Sequence, residues 1–331
     1  MTKVTLATGI SYDVGVGVSI LEAAEAAGLQ LPHSCRSGRC SSCKCKIVGE
    51  TEALSAETGL NEAEKAEGWV LACVRAALED VAVDLHEIDD ARFAKPRMVP
   101  AKIDTLEMLS DDVMRVRLRL PPGMGFDFVA GQYVDVVGKG GLRRSYSLAR
   151  RADGGPLELH IRRVEGGEMS AYWFEEAKIN DLLRIHGPVG TFCLRHGPET
   201  TVVFLATGTG IAPVMAMLEE LASTPEADRP AKVAVYWGGR RPQDLYCDLA
   251  SHFDGVEVVT TLSRADYDWS GARGYVQEHA LTMIAELEEP LNVQVYACGS
   301  DAMIRSARAA IEAAGVPGHA FYSDAFVASN T

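Results

Sequence analysis

Cys35 and Cys40 have four residues between them, Cys40 and Cys43 have two, and 29 residues separate Cys43 from Cys73. This C-x4-C-x2-C…C spacing is that of plant-type 2Fe-2S ligation, in which a tight loop supplies three thiolates and a distant element the fourth. Ser34, Ser37, Gly38, Ser41 and Ser42 keep the loop small, so backbone N–H groups can approach the sulfurs and tune the potential. Two other readings stand beside it, a zinc site and buried free thiols. Structural zinc takes paired knuckles, and no second close pair accompanies Cys73. Cys45 is not needed for four-fold ligation and reads as a small apolar residue on the following strand, though it could compete for iron. Cys193, Cys247 and Cys298 are too scattered for a second centre.

Two further motifs point to phosphate. Gly208-Thr-Gly-Ile-Ala-Pro213 follows an apolar strand and precedes the helical pattern Val214 to Leu221. Glycines let the backbone approach a phosphate, a helix N-terminus supplies donors, and Pro213 fits a first helical turn. An ordinary strand-to-helix turn is the competing reading. Arg144-Ser-Tyr-Ser147 offers a cation for a pyrophosphate, an aromatic to pack along a flavin, and a hydroxyl for a ring nitrogen. Gly166-Gly-Glu-Met-Ser170 supplies a glycine turn into a helix start that can receive phosphate.

These groups need elements to hold them. The 331 residues exceed one core, and an apolar fraction of 47% with a mean hydropathy of zero describes a soluble globular chain. No apolar run approaches a membrane span, and Met1 to Gly9 is not a secretory leader, so a reducing, cytoplasmic location is expected. Residues 1–90 hold 15 acidic and 7 basic side chains, a net of −8. Nucleic acid is an improbable partner for such a surface. Arg36, Arg39, Lys44 and Lys46 nevertheless put a basic rim around the cysteines, where a protein partner would dock.

Ser19 is the expected N-cap, and Gly28 the stop, of a helix in the cysteine domain. Two prolines between Phe93 and Pro100 mark a connection. Alternation from Val113 to Leu120, with similar runs at 132–137 and 157–162, predicts an antiparallel barrel, interrupted by one helix near Ser170. Apolar strands at 202–206, 232–236, 256–259 and 293–296 alternate with helices, as in a doubly wound parallel sheet.

Taken in this order, the cysteine domain, Arg144-Ser-Tyr-Ser147, Gly208-Thr-Gly-Ile-Ala-Pro213 and the late Cys298-Gly299 resemble the ferredoxin-NADP reductase superfamily over essentially the whole chain. The ferredoxin-first arrangement is similar to the NADH-dependent reductase components of bacterial ring-hydroxylating oxygenases, such as the benzoate and naphthalene dioxygenase reductases. The resemblance implies a β-grasp 2Fe-2S ferredoxin domain over 1–92, a β-barrel FAD domain over 99–196 and an α/β NAD(P)-binding domain over 197–331. It implies that Arg144, Ser145, Tyr146 and Ser147 bind FAD, with Ser147 near its reactive nitrogen. Gly167, Met169 and Ser170 would hold the pyrophosphate. Gly208, Thr209, Gly210 and Gly299 would meet the pyridine nucleotide, and Cys298 would lie beside the nicotinamide. Phe321-Tyr-Ser-Asp-Ala-Phe326 resembles the family's C-terminal aromatic segment, whose aromatic shields one flavin face; Phe326 as a simple core anchor is the equal alternative.

The expected function is electron transfer from NADH through FAD and the cluster to a partner oxygenase, by a monomer that needs no acid–base triad. Arg240 and Arg241 could meet the 2′-phosphate of NADPH, but the resembled subfamily uses NADH. A CDP-6-deoxy-glucoseen-type reductase serving sugar deoxygenation is the runner-up. A redox-sensing iron-sulfur scaffold is the reading from another class.

Overall fold

Ser19 caps the first helix as its sequence position predicts: its hydroxyl accepts from the Glu22 N–H while the Glu22 carboxylate accepts from the Ser19 N–H. Such reciprocal caps contribute about 1 kcal/mol. The helix stops before Gly28, whose φ of 79° suits glycine.

The computed structural model describes residues 1–88, 92–287 and 292–326, in two compact units. The first holds residues 1–88, 190–192 and 323–326; the second holds the rest. In the first, β1 (Thr2–Thr5), β2 (Ser11–Val14), α1 (Ile20–Ala26), β3 (Lys44–Val48), β4 (Thr51–Ala53), α2 (Glu62–Ala66), β5 (Trp69–Leu71), β6 (Arg75–Ala77) and β7 (Val81–Val83) follow one another. The sheet order is β2-β1-β7-β3-β5, with β1 and β7 parallel, and β4 pairs with β6 separately. Val4, Val14, Ile20, Leu21, Leu31 and Leu71 are buried in one core. Alternation decides the faces: in β2, Tyr12 and Val14 point inward while Ser11 and Asp13 face solvent.

The second unit begins with β8 (Arg97–Met108), β9 (Val113–Arg119), β10 (Tyr133–Val137), β11 (Arg143–Ser147), β12 (Leu157–Arg162), α3 (Glu168–Ala171) and β13 (Leu182–Val189). The six strands pair antiparallel in the order β11-β10-β13-β8-β9-β12, and a Leu148–Leu159 bridge brings the first and last together. This is the predicted barrel. Met114, Val116 and Leu118 fill it, while Arg115 and Arg117 on the opposite face pair with Glu107 and Glu158.

A mainly parallel sheet follows, from β14 (Thr201–Thr207), α4 (Ile211–Ser223), β15 (Lys232–Gly239), β16 (Glu257–Leu262), β17 (Ala272–Arg273), α5 (Val276–Ala285), β18 (Val293–Ser300), α6 (Asp301–Ala313) and β19 (Phe321–Phe326). Its order, β17-β16-β15-β14-β18-β19, reverses direction at β14. In such folds ligands bind beyond the carboxyl ends of the strands at the reversal. Among the described residues no helix is long and apolar enough to cross a membrane.

Candidate functional site

The loop from Ser34 to Cys43 has almost no regular structure, so other contacts shape it. Arg36 and Ser41 take φ of 55° and 62°, and Gly38 takes 74°. A Cβ on Gly38 would stand 2.7 Å from the Ala56 carbonyl oxygen, so only glycine lets residues 56–59 close over the loop. The Gly59 N–H then donates to the Gly38 carbonyl at 2.9 Å.

Inside this loop the Arg39 and Cys40 N–H groups donate to the Cys35 sulfur at 3.4 and 3.3 Å, and the Cys35 N–H donates to the Cys40 sulfur at 3.3 Å. The distant Cys73 sits in the 3-10 turn between β5 and β6. Glu57 braces that turn: its carboxylate accepts from the Leu71 N–H at 2.7 Å and clasps the Arg75 guanidinium at 3.0 and 2.6 Å.

Cys35 and Cys40 lie together, the backbone N–H of each donating to the sulfur of the other, and the Cys43 carbonyl accepts from the Ala72 N–H beside Cys73 at 3.1 Å. Among the described residues no three His, Cys, Asp or Glu groups form a site for a metal ion. The spacing, three cysteines in one loop and a distant fourth, suits a 2Fe-2S centre better than the paired knuckles of structural zinc. A hydrogen bond from Cys40 pulls the Cys35 thiol down to about 5, whereas Cys40 is pushed well up, first by that same bond and then by burial. Cys43 is likewise raised, first by its hydrogen bond with Cys73. Cys40, Cys43 and Cys73 are buried and Cys35 is half-buried; sulfurs so enclosed would be held as thiolates by the charge of bound metal, and a set of four cysteines fits a 2Fe-2S cluster. Cys45 lies fully buried on β3, and burial raises its thiol to about 12.

On β11, Arg144 and Tyr146 share one half-buried face, and Ser147 is buried at the strand end. Ser145 points away and donates to Asp135 at 2.6 Å. Tyr146 is oriented by Trp173, which lies in the π-helical turn Tyr172–Glu176 that continues α3. Arg144 donates to the Arg143 carbonyl at 2.8 Å, and among the described residues the rest of its fork meets no partner, so an anion fits there. Gly167 caps α3, and Met169 is buried. The Ser170 hydroxyl accepts from the Val164 N–H at 2.8 Å, closing the glycine turn.

Beyond β14, residues 208–210 form a 3-10 turn that runs directly into α4. The helix therefore starts at Ile211, ahead of the expected Val214. Thr209 is buried, and Cys298 is fully buried near the end of β18. A Cβ on Gly210 would overlap the Cys298 carbonyl, and one on Gly299 would overlap the Thr207 hydroxyl. The two strand ends are thus in backbone contact. Phe326 is half-buried at the end of β19.

Several residues around these motifs were not singled out from sequence. The Trp237 indole donates to the Gly208 carbonyl at 3.0 Å, and the Ser300 N–H donates to the Thr207 hydroxyl at 3.2 Å. Arg162 ends β12 of the barrel, lies against Gly208, and pairs with Asp112 at 2.8 Å and with Asp244. Asp244 also accepts from the Arg240 and Arg241 N–H groups at 2.7 and 3.1 Å. His160 bridges Glu158 and Tyr246 at 3.1 Å to each. A carboxylate accepting from neighbouring N–H groups was the available signal at Asp244, but the partner from the barrel left no local trace.

Three family models match in chain order: the 2Fe-2S iron-sulfur cluster binding domain over residues 4–78, the oxidoreductase FAD-binding domain over 100–193 and the oxidoreductase NAD-binding domain over 204–309. The chain is 36% identical over 327 residues to the CDP-6-deoxy-L-threo-D-glycero-4-hexulose-3-dehydrase reductase of Yersinia pestis, covering 97% of each. It is 31% identical over 334 residues to the reductase component of propane 2-monooxygenase from Mycolicibacterium smegmatis, covering 96% of this chain and 94% of that one. Among solved structures, the Amycolatopsis cytochrome P450 reductase GcoB superposes with a TM-score of 0.74 at 30% identity, over 98% of this chain and 99% of that one. With its cluster, flavin and nicotinamide domains in this order, the chain belongs to the ferredoxin-NADP reductase superfamily, as a ferredoxin-first oxidoreductase that moves electrons from NAD(P)H to a partner.

Proposed function

We propose that Cys35, Cys40, Cys43 and Cys73 hold the 2Fe-2S cluster, and that Arg144, Ser145, Tyr146, Ser147, Gly167, Met169 and Ser170 hold FAD. Gly208, Thr209, Gly210, Cys298 and Gly299 would receive the nicotinamide nucleotide. The partition into domains 1–92, 99–196 and 197–331 belongs to the same reading, as does a cytoplasmic monomer. The observation that carries it is the cysteine loop, in which the Cys35 and Cys40 N–H groups each donate to the other's sulfur at 3.3 Å while Gly38 lets residues 56–59 close over it. When bound, a nicotinamide gives two electrons together, a cluster of this kind accepts one, and a flavin handles both.

The chain's own residues position and enclose. Arg144 would neutralise a diphosphate, Tyr146 presents a ring already oriented by Trp173, and Ser147 offers a hydroxyl at the flavin's reactive edge. The Gly210–Cys298 approach would hold the nucleotide's backbone cradle rigid, which matters because hydride transfer depends on ring placement. The test is a pair of assays: NADH-dependent reduction of ferricyanide reads the flavin, and reduction of cytochrome c or an authentic acceptor reads the cluster. A purified, folded protein that binds neither FAD nor iron would overturn the assignment.

NADH is the proposed donor. Arg240 and Arg241 are exposed, and their backbone N–H groups serve Asp244. A higher kcat/KM with NADPH would contradict this.

For the acceptor, identity favours a dehydrase acting on a nucleotide-linked hexulose, since the sugar-type relative shares 36% of residues and the propane monooxygenase reductase 31%. An oxygenase component is the second reading, supported by the resemblance to oxygenase reductases. Product formation with each candidate acceptor, followed against NADH loss, separates the two.

A further inference from the structure

The end of β19 is built into the cysteine unit. Residues 323–326 belong to that unit, and Ser323 and Asp324 are 3% and 4% exposed. The Ser34 hydroxyl donates to Asp324 at 2.6 Å, and the Ser323 hydroxyl donates to the Cys40 carbonyl at 2.7 Å. In return the Ser42 hydroxyl donates to the Ser323 carbonyl at 3.0 Å, while the Cys40 sulfur lies 3.4 Å from the same Ser42 oxygen. A closed ring results: Cys40 backbone, Ser323 side chain, Ser323 backbone, Ser42 side chain, Cys40 sulfur.

A serine hydroxyl has one proton to donate. With Cys40 as a thiol, its S–H points to Ser42 and the Ser42 proton goes to Ser323 without conflict. With Cys40 as a thiolate ligand there is no S–H, and two acceptors, the Cys40 sulfur and the Ser323 carbonyl, compete for that proton. Hydrogen bonds to ligand sulfurs favour the reduced, more negative cluster and raise its potential. Where the proton goes therefore matters to electron delivery.

We propose that Ser323 is a positioning residue that holds the Ser42 proton away from the Cys40 sulfur and so keeps the cluster potential low. This rests on the assignment of Cys40 as a cluster ligand. The Ser42 hydroxyl donates to the Ser323 carbonyl at 3.0 Å, and the Ser323 hydroxyl, bonded to the Cys40 carbonyl, pins the strand that carries that acceptor. The C-terminal strand thereby acts on the cluster through one shared proton.

The test is an EPR-monitored redox titration of the full-length, FAD-replete protein and three variants: Ser42→Ala, Ser323→Ala, and the double variant. Ser42→Ala alone should leave the midpoint near that of the parent. Ser323→Ala should shift it to a more positive value, and the double variant should abolish that shift. A lowered midpoint in Ser42→Ala, or a shift in Ser323→Ala that survives in the double variant, would overturn the inference. Should Ser323→Ala not fold, Ser323→Thr, which keeps the hydroxyl, should match the parent. Resonance Raman would then show no deuterium-sensitive iron–sulfur band in either protein that Ser42→Ala removes; such a band in the parent would overturn the inference. A parent with bound FAD but no reduced-cluster EPR signal would overturn the ligand assignment instead.

Discussion

The indole N–H of Trp173 donates to the hydroxyl of Tyr146 at 3.1 Å, with the two rings edge to face at 6.2 Å between centroids. Trp173 is 1% exposed, and a partly buried bond ties the π-helical turn that carries it to the strand that carries Tyr146. Tyr146→Phe leaves that N–H without an acceptor, which costs about 1–3 kcal/mol. The expected result is a lower denaturation midpoint with weakened FAD retention, and Trp173→Phe, which removes the donor as well, should restore part of the stability. Fluorescence of released FAD during a thermal ramp measures both.

Cys40→Ser should remove the cluster while sparing the flavin. Iron content and the reduced-state EPR signal should be lost, and transfer to a protein acceptor should fall to background. NADH-to-ferricyanide turnover should stay near the parent rate. Loss of both activities in a folded, FAD-replete variant would contradict the proposed order of carriers.

Gly210→Ala tests the backbone contact with Cys298. The added carbon would overlap the Cys298 carbonyl, so the 208–210 turn must move. Misplacement of about 1 Å can cost on the order of 100-fold in rate, and kcat/KM for NADH should fall by about that factor. The cluster EPR signal should not change. An unaltered kcat/KM would show that the turn does not place the nucleotide.

Glu158 gives the barrel an acid dependence. Burial by itself would raise its carboxyl, but hydrogen bonds from His160 and Arg117 outweigh burial and bring it down to about 2. A carboxylate whose folded pKa is depressed adds stability above its unfolded value, near roughly 4.3, and that stability is lost as pH falls toward the folded value. Unfolding free energy should therefore decline between about pH 4.5 and 2, with Glu158 contributing on the order of 3 kcal/mol. Denaturant titrations of Glu158→Gln across that window should show a flatter pH profile. An identical slope would assign the acid loss to other groups.

What was legible in the sequence was local. Cysteine spacing, the Ser19 cap, alternation in Val113–Arg119 and the glycine turn after β14 each have a period or a neighbour rule behind them, and the cap, the strand and the turn formed as expected. The braces were not legible. Glu57 reaches Arg75 across 18 positions, Arg162 reaches Asp244 across 82, and Thr191 accepts from the His33 N–H across 158. Such pairs have no periodicity, because the fold rather than the chain makes the partners adjacent. The early start of α4 has a local cause that was read too narrowly: Pro213 marks a first turn, and the 3-10 turn at 208–210 lets helical bonding begin at Ile211, two residues before it.

The bond between Ser34 and Asp324 joins positions 290 apart, and this distance has a meaning during synthesis. A chain emerges from the ribosome N-terminus first, and domains generally fold as they emerge. The cysteine loop is translated 290 positions before the residue that supplies this carboxylate. A cluster assembled on the nascent chain before residue 324 emerges would therefore meet a loop that still lacks the Asp324 contact.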